Sequence, residues 1–205
     1  MHSPFVYEIP EEGEGDYDAD AMAVLKATLQ KALELLSDES RDVGQTLAAV
    51  LLFGYRAQEL LDGGEEEPFE AEEALDSVRE FIKPGDPEAL VRVFRGLEIL
   101  TPQWEDRLRS PGKLRWDARV RPLARYFVER YWLQAVSDYD LACRVKFIIA
   151  SCILIRNLGG DLLTTAQVYS KEIENNIDNV EAILDGAYSH PAFTDDKLLG
   201  LLLQN

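Results

Sequence analysis

Residues 141–158, LACRVKFIIASCILIRNL, decide the fold of this chain because they are apolar around nearly the whole circumference of a helix. A helix of that kind is stable at the centre of other helices that cover all its sides. An acidic N-cap, Asp138 or Asp140, precedes it, and Gly159-Gly160 ends it. The segment therefore predicts the buried central helix of a bundle.

Apolar residues at helical spacing recur on both sides of this segment. Asp86-Pro87 and Thr101-Pro102 each join an N-cap residue to a proline at the first helical position, which predicts two helix starts. In the helix predicted before them, at about 70–82, Phe81 is expected on the apolar side. We expect an all-α bundle of eight or nine helices, a single domain over residues 18–205, preceded by an acidic, loose arm at 1–17. The predicted helices cover about 19–36, 43–61, 70–82, 87–97, 102–108, 121–136, 141–158, 162–186 and 194–203.

Charge is distributed unevenly along the 205 residues, which carry 38 acidic and 21 basic side chains for a net charge of −17. That balance disfavours nucleic acid as a partner, because phosphate binding needs clustered lysine and arginine. Residues 1–100 hold 24 acids against 8 bases, whereas residues 107–130 hold 8 bases against 2 acids. The chain therefore has an acidic half and one basic stretch.

Residues that commonly carry catalysis are few. His2 and His190 are the two histidines, and Cys143 and Cys152 the two cysteines, both within the apolar central segment. This leaves no nucleophile–base pair, no metal-ligand spacing and no glycine-rich phosphate loop, which disfavours a self-contained hydrolase, kinase or oxidoreductase. The longest uncharged apolar run, residues 147–155, is far shorter than the ~20 residues that span a bilayer. With no signal-peptide pattern at the N-terminus, a cytoplasmic protein with no membrane partner is expected.

The first candidate site is the mixture of arginine and aromatic residues within RPLARYFVERYW, residues 121–132. Arg121 and Arg125 stand one turn apart, and Tyr126 and Arg130 follow them. Arginine forks bind carboxylates and aromatic residues anchor interfaces, so one interpretation is an anion site or a partner-docking face. The alternative is a core helix whose arginines pair with the acidic first half of the chain.

The second candidate site is the segment YSKEIENN at residues 169–176. Its polar members are Tyr169, Ser170, Glu172 and Glu174, and residues two apart on a helix diverge by about 200°. Glu172 and Glu174 are therefore expected on opposite faces. On spacing alone the segment is an ordinary polar helix face with Ile173 and Ile177 buried.

Three segments together resemble the C-terminal helical half of the bacterial flagellin lysine-N-methylase family: RPLARYFVERYWLQAV (121–136), DLACRVKFIIASCILIRNL (140–158) and AQVYSKEIENNIDNVEAIL (166–184). Family members carry an aromatic helix, an apolar helix and a Tyr-Ser-Arg-Glu-Ile-Glu-His type segment. The agreeing residues are Tyr169, Ser170, Glu172, Ile173 and Glu174, whereas Lys171 replaces the arginine and Asn175 the histidine.

The resemblance implies methylation of protein lysines with S-adenosylmethionine as the methyl donor. The family also has an N-terminal cysteine-rich region thought to hold an iron–sulfur centre, and this chain has no counterpart to it. Cluster ligation normally takes four cysteine thiolates, so no iron–sulfur cluster is expected here. The predicted function is a substrate-docking or accessory module that works on a protein substrate or protein partner. Three alternatives stay open for the chain: a truncated paralogue, a subunit that works with a separate cysteine-rich chain, or a fragment.

A non-enzymatic interaction module is the alternative. Residues 198–203 hold five leucines and no charge, so they need either a groove in the same chain or a partner. A homodimer through Leu198–Leu203 is the simplest form of this alternative. A ligand-binding helical bundle of the kind found in regulatory proteins is a third, weaker interpretation.

Overall fold

The computed structural model describes residues 18–112 and 116–203, and the predicted acidic arm at 1–17 lies outside them. This part of the chain is all helical, without a strand, which confirms the predicted fold class. Short 3₁₀ segments lie at Arg79–Phe81, Trp132–Ser137 and Pro191–Phe193, and a π-helical turn lies at Ser170–Glu174. The ten α-helices of the described part are α1 (Ala19–Ser37), α2 (Val43–Leu61), α3 (Ala71–Val78), α4 (Pro87–Arg95), α5 (Pro102–Arg109), α6 (Val120–Tyr131), α7 (Leu141–Leu158), α8 (Leu162–Tyr169), α9 (Ile177–Ser189) and α10 (Asp195–Leu203).

Helix α7 is the centre of the bundle, as its apolar circumference predicts. All but two of its 18 residues are buried. Helices α2, α4, α6, α8, α9 and α10 all pack against it, while α1 covers α2 and α6 from outside. None of the described helices is both long and apolar enough to cross a membrane.

Helix starts follow the capping residues in the sequence. The Asp86-Pro87 and Thr101-Pro102 pairs begin α4 and α5, with the aspartate and threonine side chains accepting hydrogen bonds from the first turn. Asp140 is the residue that caps α7. Asp138 instead binds the guanidinium of Arg144, with an oxygen–nitrogen distance of 2.7 Å.

The single helix predicted over 162–186 is wrong, because the chain breaks between α8 and α9. At Ser170–Glu174 the helix widens, and the amide of Asn175 donates to the carbonyl of Ser170, five residues back, at 3.0 Å. The side chain of Asn176 then caps α9 by accepting from the amide of Asn179. This break turns the predicted eight or nine helices into ten.

Two apolar residues, Phe81 and Ile177, are exposed although their spacing predicts that they are buried. Phe81 is 73% exposed because α3 tightens into a 3₁₀ turn at Arg79–Phe81, which rotates its side chain off the apolar face. Ile177 is 67% exposed because the break restarts the helical phase at α9. Ile173, within the π-helical turn, is fully buried as predicted.

The leucine-rich C-terminus packs inside its own chain. Leu198, Leu199, Leu201 and Leu202 are buried, and α10 packs against α2 and α7. The carbonyl oxygen of Leu202 lies so close to Gly44 of α2 that a Cβ at residue 44 would not fit. These leucines therefore fill a groove within their own chain, which was one of the two alternatives. The leucine-rich sequence of residues 198–203 thus no longer supports a dimer through Leu198–Leu203. Homodimerisation itself stays a prediction.

Candidate functional site

A cleft of about 550 Å³ lies between α6 and α8, two helices that both pack on α7. Its volume falls within the range of small-molecule and side-chain binding sites. We call it the α6–α8 cleft. It is lined by Arg119, Pro122, Leu123, Tyr126, Phe127, Asp161, Leu162, Leu163, Ala166, Gln167, Ser170 and Glu174.

The α6–α8 cleft has mostly apolar walls and two polar ends. Arg119 and Asp161 mark the end where both helices begin, and Tyr126, Ser170 and Glu174 mark the other. At the first end the guanidinium of Arg119 is held by Asp117, with a nitrogen–oxygen distance of 2.8 Å.

Glu174 is the most buried charged group of the cleft, with a side chain only 2% exposed. The hydroxyls of Tyr126 and Tyr131 donate to its Oε1 from 2.9 and 3.0 Å. Nε of Arg130 lies 3.0 Å from the same oxygen, close enough for an ion pair, although its N–H is not aligned for a hydrogen bond. These three groups converge on Oε1.

The hydroxyl of Tyr126 donates to Glu174, and Ser170 lies with them in the lining of this end of the cleft. Burial, followed by the negative charge of Glu174, raises the pKa of Tyr126 to about 12. The phenol therefore keeps its proton at neutral pH and acts as a donor. Burial also raises the pKa of Tyr131, with the nearby Glu174 carboxylate adding to the effect.

Ser170 and Glu174, the first and last residues of the π-helical turn, line the same end of the cleft. They are four residues apart, and residues at that spacing lie on the same side of a helix. The turn adds a residue between the regular helices α8 and α9, so these two side chains face α6 while α9 continues in a new phase. Single π-turns of this kind occur frequently at functional sites.

Glu172 faces away from the cleft, as the spacing from Glu174 predicts. It is fully buried and accepts hydrogen bonds from the amide of Leu100, at 2.8 Å, and from the hydroxyl of Thr101. Thr101 is the N-cap of α5, so the carboxylate lies at the positive end of that helix. Glu172 therefore fastens the loop before α5 to the π-turn, which is a structural role.

Tyr169 is also a structural residue. It is fully buried, and its ring packs edge-on against Trp104 and Phe127 at centroid distances of 6.1 and 5.7 Å. Its hydroxyl is hydrogen-bonded to Ser151 of α7 at 2.6 Å. Burial raises the pKa of Tyr169 well above its ordinary value.

The arginines of α6 have separate partners. Arg121 donates to the carbonyls of Leu36 and Asp38, at 3.1 and 2.8 Å, where a cation favourably meets the C-terminal end of α1. Arg125 pairs with Glu129 on its own helix at 2.9 Å. Arg121 thus reaches the acidic first half through backbone carbonyls, not through the carboxylates that the alternative interpretation expects.

The structure divides the sequence candidates into two groups. Four lie at the α6–α8 cleft or touch its buried carboxylate: Tyr126, Arg130, Ser170 and Glu174. The other four lie elsewhere: Arg121, Arg125, Tyr169 and Glu172. Sequence reasoning missed Tyr131 and the apolar walls, and the adjacency of Tyr131 to Arg130 was the available signal.

The described residues do not fit an iron–sulfur cluster. Residues 18–112 and 116–203 contain no group of three or more His, Cys, Asp or Glu side chains able to hold a metal ion. Cys143 and Cys152 are buried free thiols, and burial raises the pKa of both, that of Cys143 to about 12. They are protonated at neutral pH, which makes them poor ligands and poor nucleophiles.

No protein-family model, no curated protein and no solved structure matches this chain. The resemblance to flagellin lysine-N-methylases therefore stays a prediction from the sequence. The geometry of the α6–α8 cleft is an independent basis for a functional proposal.

Proposed function

We propose that this chain is a substrate-docking module that binds a lysine side chain of a protein substrate in the α6–α8 cleft. The observation that carries the proposal is a buried carboxylate, Glu174, at one end of a cleft with apolar walls. A lysine side chain has the matching form, with an apolar stem and a compact cationic head.

Two further features support a cationic protein substrate. The first 100 residues carry 24 acids against 8 bases, so the molecule attracts a basic partner over a long range. Leu163, at the wall of the cleft, is 67% exposed and offers apolar surface to the chain that carries the lysine.

The chemistry that the resemblance implies is transfer of a methyl group from S-adenosylmethionine. The buried charged group of the cleft, Glu174, is an anion and suits a cationic substrate better than the aminocarboxylate group of this cofactor, which calls for a cation. We therefore propose the cleft for the substrate and assign the cofactor to a separate cysteine-rich chain.

Calorimetric titration with two peptides tests the docking proposal. One peptide carries a single central lysine, and the other carries norleucine, which keeps the apolar stem but lacks the ammonium. We expect the lysine peptide to bind and the norleucine peptide to bind at least about tenfold more weakly, since a charge-assisted hydrogen bond is lost.

The cleft is located by a matched pair of substitutions. Ala166→Phe fills the cleft wall and should abolish binding, whereas Ala182→Phe, at an exposed position on α9, should leave it unchanged. Equal affinity for both peptides, or full binding by a folded Ala166→Phe variant, would contradict the proposal.

Thermal unfolding with excess S-adenosylmethionine tests the accessory role. We expect no change in Tm for this chain alone. A ligand at about 100 times its Kd raises Tm by roughly 5–10 °C for a domain of this size. A rise of that size would place the cofactor site in this chain and contradict the assignment to a companion.

A further inference from the structure

We infer that Arg130 regulates the α6–α8 cleft as an internal competitor: its guanidinium pairs with Glu174, and a substrate lysine binds by taking its place. This inference rests on the proposed function, because it specifies what keeps the docking carboxylate covered until a lysine arrives. Nε of Arg130 lies 3.0 Å from Oε1 of Glu174, and the arginine side chain is 33% exposed whereas the glutamate side chain is 2% exposed.

The burial of Glu174 means that one of its neighbours has to move before a ligand reaches it. A lysine ammonium binds a carboxylate through charge-assisted hydrogen bonds of about 2.7–2.9 Å, so it needs direct contact with the carboxylate. A side chain that is 2% exposed offers almost no such contact. Tyr126, Tyr131 and Arg130 contact Oε1. The most weakly held of these three groups is therefore the one that gives way.

The two tyrosines are held by packing as well as by hydrogen bonds. Tyr131 is 5% exposed, and its ring packs against Phe147 and Phe127 at centroid distances of 4.7 and 6.3 Å. The ring of Tyr126 packs against Phe127 at 5.3 Å, and its hydroxyl donates to Glu174 at 2.9 Å. Moving either ring away from the carboxylate would disrupt the aromatic packing of α6.

Arg130 is held less firmly than the tyrosines. Its Nε–H is not aligned for a hydrogen bond to Glu174 and has no other acceptor among the described residues, although the nitrogen is buried. A buried donor without an acceptor is unfavourable, and ion pairs of partly exposed side chains contribute little. Turning the guanidinium outwards returns its donors to water. A lysine that replaces it leaves the buried carboxylate with a cationic partner, so the exchange does not strand a charge.

Removing the competitor should therefore strengthen lysine binding. Arg130→Met keeps an unbranched apolar stem and removes the guanidinium. In calorimetric titration we expect the lysine peptide to bind this variant about fivefold more tightly than the native chain, the effect of releasing a partly exposed ion pair. The norleucine peptide should bind both chains equally, because it has no ammonium to pair with Glu174.

Arg125→Met is the matched control. It removes the same charge from the same helix, but Arg125 pairs with Glu129 and does not line the cleft. Its effect on the affinity for the lysine peptide should stay below about twofold, because salt screens exposed charges. This control separates replacement at Glu174 from a general change in the charge of the molecule.

The native chain provides a second readout that needs no variant. The Nε–H signal of Arg130 in nitrogen–proton NMR spectra should shift when the lysine peptide binds and stay in place with the norleucine peptide. An unmoved signal at saturation, or a folded Arg130→Met variant that binds lysine no more tightly than Arg125→Met, would overturn the inference while lysine docking still stands. If the native chain and both variants all fail to bind the lysine peptide, the proposed function and the inference fail together.

Discussion

Glu172 and Glu174 lie two residues apart and face different environments. Glu172 is closed off by the loop before α5, where it accepts from Leu100 and Thr101. Glu174 lines the α6–α8 cleft, where Tyr126, Tyr131 and Arg130 contact its carboxylate. Both carboxylates are buried, but Glu172 holds the loop before α5 whereas Glu174 lies at the wall of a cleft.

Glu172→Gln should destabilise the chain without touching the cleft. The amide keeps the size of the side chain but removes its charge, so the charge-assisted hydrogen bonds from Leu100 and Thr101 are replaced by weaker neutral ones. We expect the free energy of unfolding, measured with urea, to fall by about 1–3 kcal/mol.

Glu73→Gln is the control for this substitution, because Glu73 is exposed on α3 and should stay within about 0.5 kcal/mol of the native chain. A Glu172→Gln variant as stable as this control would show that the carboxylate does not hold the loop. Unchanged affinity for the lysine peptide is also expected, which separates Glu172 from Glu174.

Among the elements, α2 and α7 approach each other closely at Gly54. A Cβ built at this position lies 2.8 Å from both γ carbons of Val145. Real Cβ atoms do not approach so closely, so α7 can pack this near to α2 only because residue 54 is a glycine. The cost is a glycine inside a helix, which is about 1 kcal/mol less favourable than alanine.

Gly54→Ala should therefore destabilise the chain although alanine is the better helix former. Overpacking costs about 1–3 kcal/mol, which outweighs the gain in helix propensity. The double variant Gly54→Ala with Val145→Ala removes the clashing methyl groups and should be more stable than the sum of the two single effects. Strict additivity in urea unfolding would exclude the clash as the cause.

At the scale of the whole molecule, the C-terminal helix closes the bundle over elements from distant parts of the chain. Asp195, at its first turn, binds Lys146 of α7 at 3.2 Å and accepts from the hydroxyl of Tyr55 of α2. Its four buried leucines lie between these helices. The helix is therefore part of the core.

Truncation before Asp195 should unfold the protein, because each buried leucine lost costs about 2–5 kcal/mol and a domain has only about 5–15 kcal/mol of stability. Circular dichroism should show the loss of cooperative thermal unfolding. A truncated chain that stays folded, and that changes from dimer to monomer by light scattering, would restore the interface originally expected at Leu198–Leu203.

The sequence by itself determined most of the elements. The apolar run at 141–158 predicted the buried centre, and the cap residues Asp86 and Thr101 placed two helix starts correctly. These features are local: helical period and capping depend on residues within one or two turns of each other. For that reason they could be predicted without knowing any partner.

Tertiary structure alone decided which polar residues form the candidate site. The π-turn at Ser170–Glu174 lies inside a segment whose spacing predicts continuous helix, and packing against α6 and the loop before α5 accompanies the break. Glu174 meets Tyr126 across 48 residues and Glu172 meets Leu100 across 72. Spacing along one helix predicted their opposite faces, but the partner on each face depends on long-range packing, which periodicity does not encode.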